Sequence, residues 1–386
     1  MKQRIIFLFF VFCLFINVTI HAQVRYFPPA HGIWEERSPS SLGLDEKVLM
    51  KAVDFAKENE YSGSRDLRIA ILKGFSREPY HQILGPTKKR GGPAGMVLKD
   101  GYVVASWGET KRIEMTFSVT KSYLSTVAGL AVDQRLFLPS EKVADYVWDH
   151  TFDGKHNQKI TWKDLLNQSS DWSGNLWDSY DWADRPPRQG GVDDWKYRKL
   201  HTPGTHYKYN DVRVNVLAYS LLNVWRKPLP QVLKEKVMDP IGASSTWRWY
   251  GYENSWVNVD GNWVQSVSGG GHSGGGLFIS AEDHARFGLL FLNKGKWEEE
   301  QIISQEWIEE ATTPSPANPS YGYLWWLNHP DSSRYVPEGG DEMYYAAGFG
   351  GNYIVILPQH NMVIVTRWLE PKTMPEFIRK VIAATK

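Results

Sequence analysis

Thr116-Phe117-Ser118-Val119-Thr120-Lys121-Ser122-Tyr123 is the stretch on which the reading of this chain turns. Val119, Tyr123, Thr126, Val127 and Leu130 recur three or four residues apart, which predicts a helix. Ser118 and Lys121 stand three apart and so share one face of that helix. A serine hydroxyl is a weak nucleophile. A lysine amine beside it can act as its base once burial or a neighbouring cation lowers the amine from about 10.4 toward neutrality. The helix N-terminus adds free backbone N–H groups and the positive end of a dipole, both useful where an oxyanion develops. On many helices such a pair is only a solvated surface pair. Here Ser-x-x-Lys occurs once in the chain and its flanks are apolar, which favours the chemical reading.

The rest of the composition sets bounds. The 386 residues are 42% hydrophobic and 23% charged, enough for one large domain or two smaller ones. Forty-four basic residues against 43 acidic ones give a net charge of +1, and no basic run interleaved with aromatics points to nucleic acid. Residues 1 to 22 read as a secretory signal peptide: Lys2 and Arg4 open it, Ile5 to Ile16 form an apolar core, and Ala22 precedes the expected cut. That core is short for a membrane span, so a periplasmic or secreted protein with no stable membrane anchor is expected. The single cysteine, Cys13, lies inside this leader, which leaves the mature chain without a disulfide, a thiol nucleophile or a cysteine-ligated metal.

In chain order, Asp45 to Lys57 has helical spacing and Leu67 to Leu72 reads as a strand. Asp100-Gly101 sits between two apolar runs, Gly95 to Lys99 and Tyr102 to Trp107, and predicts a hairpin. Residues 135 to 250 are mainly helical and loop-rich; Thr161 to Asp164 fits a capping box ahead of Leu165-Leu166. Residues 171 to 200 carry Trp172, Trp177, Tyr180, Trp182, Trp195 and Tyr197, a long aromatic loop of the kind that serves as a lid, with Trp177 and Trp182 as candidate substrate contacts. Helices are expected over Asp211 to Trp225 and Gln231 to Met238. A second Asp-Gly hairpin spans Val257 to Val264. Gly274 to Ser280 leads into a strand end, and Ala281 to Asn293 forms a helix capped by Ser280. Tyr353 to Leu357 and Met362 to Trp368 make a last hairpin, and Lys372 to Thr385 a terminal helix. Early strands, a helical middle and late strands imply an α+β fold: one antiparallel sheet built from both chain ends, flanked by helices, with a mainly helical part inserted. The domain reading is a single catalytic domain over 23 to 386, its α/β part about 45 to 117 and 255 to 386, its helical part about 118 to 250.

A second motif lies at Pro203-Gly-Thr-His-Tyr-Lys-Tyr209-Asn210-Asp211. With the Ser118/Lys121 pair and the strand arrangement, the chain resembles the serine beta-lactamase-like superfamily of penicillin-binding proteins, class C beta-lactamases, esterases and 6-aminohexanoate-dimer hydrolases. The resemblance spans essentially the whole mature chain, including Leu165 to Ser170, Pro240 to Ala243, Gly269 to Ser280 and the C-terminal Gly-rich strand. It implies that Tyr209 faces the Ser/Lys pair and that Asp211 stands where asparagine is usual. It also implies that Gly348, in Ala346-Ala347-Gly348, occupies the glycine of a Lys-Thr-Gly or His-Thr-Gly element whose cation is missing here. A lysine there would pair with the carboxylate of a penicillin or peptide. Its absence suits esters or amides without such a group. The backbone N–H groups of Ser118 and Phe349 would hold the oxyanion. A phenol can pass a proton between Ser118 and a leaving group when a cation keeps it partly ionised, so Lys121 and Tyr209 both stand as candidate acylation bases.

Two rival motifs are visible. Tyr252-Glu253-Asn254 is a literal Tyr-x-Asn without the Pro-Gly-Thr lead. Gly271-His-Ser-Gly-Gly275 matches a Gly-x-Ser-x-Gly elbow around Ser273, but an extended run follows where a helix is required. His272 in that run is a candidate substrate contact or a structural histidine. No metal-ligand spacing is present, so neither metal nor cofactor is expected. The expectation is a serine hydrolase of small ester or amide substrates working through an acyl-enzyme on Ser118. The alternatives are a beta-lactamase or D-Ala-D-Ala peptidase, and a non-catalytic cell-wall or glycan binding protein of the same fold.

Overall fold

Residues 26–30 and 32–385 are described by a computed structural model. The expected leader and Cys13 lie outside the described residues. Among the described residues, no helix is long and apolar enough to cross a membrane.

Asp100-Gly101 closes the first hairpin, between strands Ala94–Lys99 and Tyr102–Trp107, and both turn residues take positive φ, 55° and 90°. The second hairpin pairs Asn352–Leu357 with Met362–Arg367 around the short helical turn Pro358–His360. The two hairpins join where Met362–Arg367 pairs with Ala94–Lys99, Val97 opposite Ile364. Tyr344–Gly348 adds beyond Asn352–Leu357, and Trp326–Leu327 covers part of its outer edge. The result is a six-stranded antiparallel sheet drawn from both chain ends.

The sheet has helices on both faces, which explains its apolar central strands. Val355 and Ile364 face helices Glu46–Glu58 and Met374–Ile382, through Leu49, Val53, Phe377 and Val381. Their strand neighbours Ile354, Ile356, Val363 and Val365 face the opposite way, toward Leu124 of helix Thr120–Asp133 and Phe287 of helix Ala281–Leu292. That alternation is the period of two of a pleated strand. A second sheet holds Glu114–Met115, Gly276–Ile279 and the hairpin Arg248–Val259/Asn262–Val267, which turns at Asp260-Gly261. Between the two halves lie helices Trp162–Leu166, Asp211–Trp225 and Leu229–Leu233; the Thr161–Asp164 capping box is formed.

Several local expectations are corrected. Leu67–Gly74 is a helix, not a strand: the Asp66 carboxylate accepts from Arg68 N–H, and Leu67, Ala70 and Ile71 are buried at helical spacing while Ile69 and Leu72 are exposed. The hairpin expected from Val257 begins earlier, at Arg248. The 171–200 stretch is not a bare loop. It contains a short ladder, Asn175–Leu176 against Ser179–Tyr180, and a one-turn helix, Val192–Lys196. The helix at Ser118 starts as a 3-10 turn, Phe117–Val119, and becomes α-helical at Thr120.

Candidate active site

Ser118 sits in that 3-10 turn, directly after Phe117, whose φ of 51° is unusual for a bulky residue. The surroundings hold this geometry. Thr116 N–H donates to Leu277 O at 3.0 Å, and Thr120 Oγ1 accepts from Leu277 N–H at 3.0 Å. Arg367, on the central strand, donates to Thr116 Oγ1 at 2.9 Å and to Asn352 Oδ1 at 3.0 Å. Asn352 Nδ2 in turn donates to Phe349 O at 2.8 Å, so one guanidinium ties the Ser118 turn to the loop after Gly348. Burial, then the nearby Arg367, keeps His284 well below its ordinary value. Its neutral ring bridges Thr116 Oγ1 and Tyr123 Oη, each at 2.7 Å. Gly348 lies against this turn: a Cβ there would come within 2.3 Å of Thr116 O and 3.4 Å of Ser118 N. The strand Tyr344–Gly348 and the Ser118 backbone can meet this closely only through glycine.

Lys121 is buried, and its Nζ donates to Ser118 Oγ at 2.9 Å and to Gly269 O at 3.2 Å. The same Nζ lies 2.7 Å from Asp211 Oδ1. Burial alone would push the amine down, but the Asp211 carboxylate outweighs it, and Lys121 is held above its ordinary value. The sequence suggested a lysine driven toward neutrality; the carboxylate beside it keeps this one an ammonium. Asp211, at the first turn of helix Asp211–Trp225, is likewise buried, and Arg185, Lys121 and His272 hold it well below the carboxylate range against that burial.

The centre of the Tyr209 ring lies 5.1 Å from Lys121 Nζ and 5.1 Å from the Arg185 guanidinium. It stacks on Trp326 at 5.9 Å and meets Tyr321 edge-on at 6.3 Å. His272 stacks on Phe75 at 4.0 Å, with both ring nitrogens taken: Nδ1 by Asp211 Oδ2 at 2.8 Å, Nε2 by Glu78 Oε2. Arg185 pairs with Asp184 at 2.6 Å and Asp211 at 2.8 Å.

The two candidate tryptophans of the aromatic stretch, Trp177 and Trp182, pack against other aromatic rings. Trp177 meets Tyr219 and Tyr252 edge-on, and Trp182 meets Tyr80 and Tyr180. The rival Tyr252 is buried with its hydroxyl accepting from Asn215 Nδ2 at 3.1 Å. Ser273 lies in a loop that feeds the strand Gly276–Ile279, not a strand-to-helix elbow. Glu78, Asp184 and His272 form the group of described residues whose atoms are close enough to share an ion. Arg185 already neutralises Asp184 and His272 donates to Glu78, so the donors are spent on cations of the chain itself.

Glu78, Arg185 and Trp326 were not visible as site residues. Arg185 lies in the aromatic stretch, next to Pro186-Pro187, and Trp326 in a Trp-Trp pair; nothing around Glu78 marks it.

With this geometry in place, comparison with known proteins is informative. A family model described as Beta-lactamase matches residues 81–376. The 6-aminohexanoate-dimer hydrolase of Paenarthrobacter ureafaciens is 23% identical over 286 residues, 67% of this chain and 67% of that protein. Among solved structures, a family VIII carboxylesterase superposes with a TM-score of 0.57 at 17% identity, covering 89% of this chain and 98% of its own. The beta-lactamase/D-alanine carboxypeptidase of Pseudomonas syringae superposes with a TM-score of 0.57 at 11% identity, covering 88% of this chain and 99% of its own.

Proposed function

The chain belongs to the beta-lactamase family, and on that premise we propose that it is a serine hydrolase that opens small ester or amide substrates through an acyl-enzyme on Ser118. The observation that carries the reading is the 2.9 Å contact between Lys121 Nζ and Ser118 Oγ, made by an amine that Asp211 holds at 2.7 Å. An ammonium cannot take the serine proton. It can orient the hydroxyl and stabilise the charge that develops as the proton leaves. Tyr209, whose ring centre lies 5.1 Å from each of two cations, then takes the serine proton and returns it to the leaving group. Ser118 Oγ bonds to the carbonyl carbon, the leaving alcohol or amine departs with that proton, and water clears the ester by the reverse sequence. The N–H groups of Ser118 and Phe349 hold the oxyanion, a role supported by the fit of Gly348 against Ser118 N. Ala346 stands where a carboxylate-binding cation would be needed, so esters and simple amides are favoured over beta-lactams and peptides ending in D-alanine.

The test is the intact mass of the protein after treatment with a fluorophosphonate, alongside Ser118→Ala. One adduct on wild type and none on the variant is expected, with faster turnover of a short-chain nitrophenyl ester than of a chromogenic cephalosporin. An adduct that survives in the variant overturns Ser118 as the nucleophile. Faster cephalosporin turnover overturns the substrate preference.

A further inference from the structure

The ring of His272 faces two carboxylates. Nδ1 meets Asp211 Oδ2 at 2.8 Å, and Nε2 meets Glu78 Oε2. A neutral imidazole has one donor and one acceptor, so it can satisfy only one of these contacts; an imidazolium donates to both. The ring is 5% exposed and stacked on Phe75, so water cannot substitute for either partner. On its far side Asp211 uses Oδ1 to hold Lys121 at 2.7 Å, while Arg185 shares Oδ2 at 2.8 Å. We propose that His272 is a positioning residue: as an imidazolium clamped between Glu78 and Asp211, it fixes the carboxylate that holds Lys121 against Ser118. The role rests on the Ser118 reading given above.

The charges around the ring favour this state. Glu78 and Asp211 are in contact, Asp184 is nearby, and Arg185 and Lys121 both reach it through Asp211. Burial works against the imidazolium, but the bonds from Asp211 and Glu78 outweigh it and raise His272 to about 9. His81, whose ring lies 5.0 Å away and whose Nε2 meets His272 O at 3.1 Å, is lowered by burial and by His272, so the two titrate apart. Above the His272 value the ring gives its proton to solvent, one nitrogen lone pair then faces a carboxylate, and the clamp opens.

The test is kcat against pH for para-nitrophenyl butyrate, corrected with Ser118→Ala. Wild type is expected to lose kcat as pH rises through about 9. Glu78→Gln keeps an acceptor but removes one anion, and its alkaline limb is expected to move to lower pH by about one unit. His272→Gln is expected to lower kcat about 10- to 100-fold with KM little changed, and to lack that limb. Independently of how well the variants fold, 15N-histidine spectra of the wild-type protein at pH 7 are expected to show one ring protonated on both nitrogens. A limb unmoved by Glu78→Gln, or only neutral rings at pH 7 apart from exposed histidines, overturns the clamp. Turnover that survives Ser118→Ala overturns the nucleophile itself, a distinguishable outcome.

Discussion

At Asp211 three cations converge on one carboxylate: Lys121, Arg185 and His272. In the proposed reaction the lysine stays charged, so Tyr209 and Lys121 separate in their expected effects. Tyr209→Phe removes the proton carrier and keeps the ring, so kcat is expected to fall about 10²- to 10⁴-fold with little change in KM. Lys121→Met leaves Asp211 with two cations, so the fold is expected to persist while Ser118 loses reactivity toward the fluorophosphonate; labelling at the wild-type rate would overturn the role of Lys121. Backbone placement is equally local. Gly270 has φ of 77°, and a Cβ there would lie 2.0 Å from Phe117 O, whereas Gly261, at φ 86° on a hairpin tip, has nothing within 4 Å. Both Gly→Ala changes incur the left-handed penalty of about 1–2 kcal/mol. Only Gly270→Ala also drives an atom into the nucleophile turn, so it is expected to lose far more thermal stability and most labelling, with Gly261→Ala as the matched control. Ser118, Lys121, Tyr209, Asp211 and His272 stood out in the sequence because each sits in a motif whose spacing is local. Glu78 and Arg185 did not, because their importance comes from charges the fold delivers from distant segments.

At the scale of elements, the aromatic stretch 171–200 is held by ion pairs as well as by its buried rings. Arg213, in helix Asp211–Trp225, is buried and pairs with Asp171 at 2.6 Å and Asp181 at 3.1 Å; Arg198 pairs with the same two at 2.7 and 3.0 Å. Removing one partner of a buried cluster leaves charge uncompensated, at a cost of about 3–5 kcal/mol. Arg213→Met is therefore expected to lower the melting temperature and to open this stretch to limited proteolysis ahead of global unfolding. The pH dependence has a definite sign. Burial raises Asp171, but Arg213 and the other donors outweigh it, so its folded value lies below its unfolded one. Its stabilisation is present above the unfolded value near 3.8 and is lost as pH falls below it. Wild type should thus lose stability on acidification more steeply than Arg213→Met; equal slopes would show that the cluster does not anchor the stretch. Elements were legible where a local signal was unambiguous: Asp-Gly at both hairpins, Ser280 and Thr161 as helix caps. Leu67–Gly74 misled because Leu-Arg-Ile-Ala-Ile-Leu is apolar at nearly every position, so periodicity cannot separate strand from helix. The Asp66 cap was the signal that decides it. The ion-pair cluster had no sequence signal, since its members Asp171, Asp181, Arg198 and Arg213 are separated by ten or more residues each and meet only in the fold.

At the scale of the molecule, the central strand Met362–Arg367 couples the two chain ends, because it lies between Asn352–Leu357 and Ala94–Lys99. The Ser118 turn lies on one face of this sheet, and helices Glu46–Glu58 and Met374–Ile382 cover the other. The terminal helix touches no part of the site, yet Met374, Phe377, Ile378 and Val381 are fully buried in that far-face core. Each such side chain contributes about 1.5–3 kcal/mol. Together they reach roughly the 5–15 kcal/mol that holds a whole domain. Phe377→Ala alone is expected to cost about 3–5 kcal/mol, lowering the melting temperature while fluorophosphonate labelling at 25 °C persists. Deleting residues 371–386 removes all four anchors and uncovers Leu49, Val53, Val355 and Ile364, so this face of the sheet loses one of its two covering helices. The truncated chain is expected to be insoluble or unfolded by circular dichroism and to take no label, although every residue of the proposed machinery remains in it. A soluble, labelled truncation would show that the site-bearing face folds without the other. The sheet would then be two separable layers, and the Arg367 link from the central strand to Thr116 and Asn352, which the truncation retains, would suffice to place Ser118 without the far-face helix.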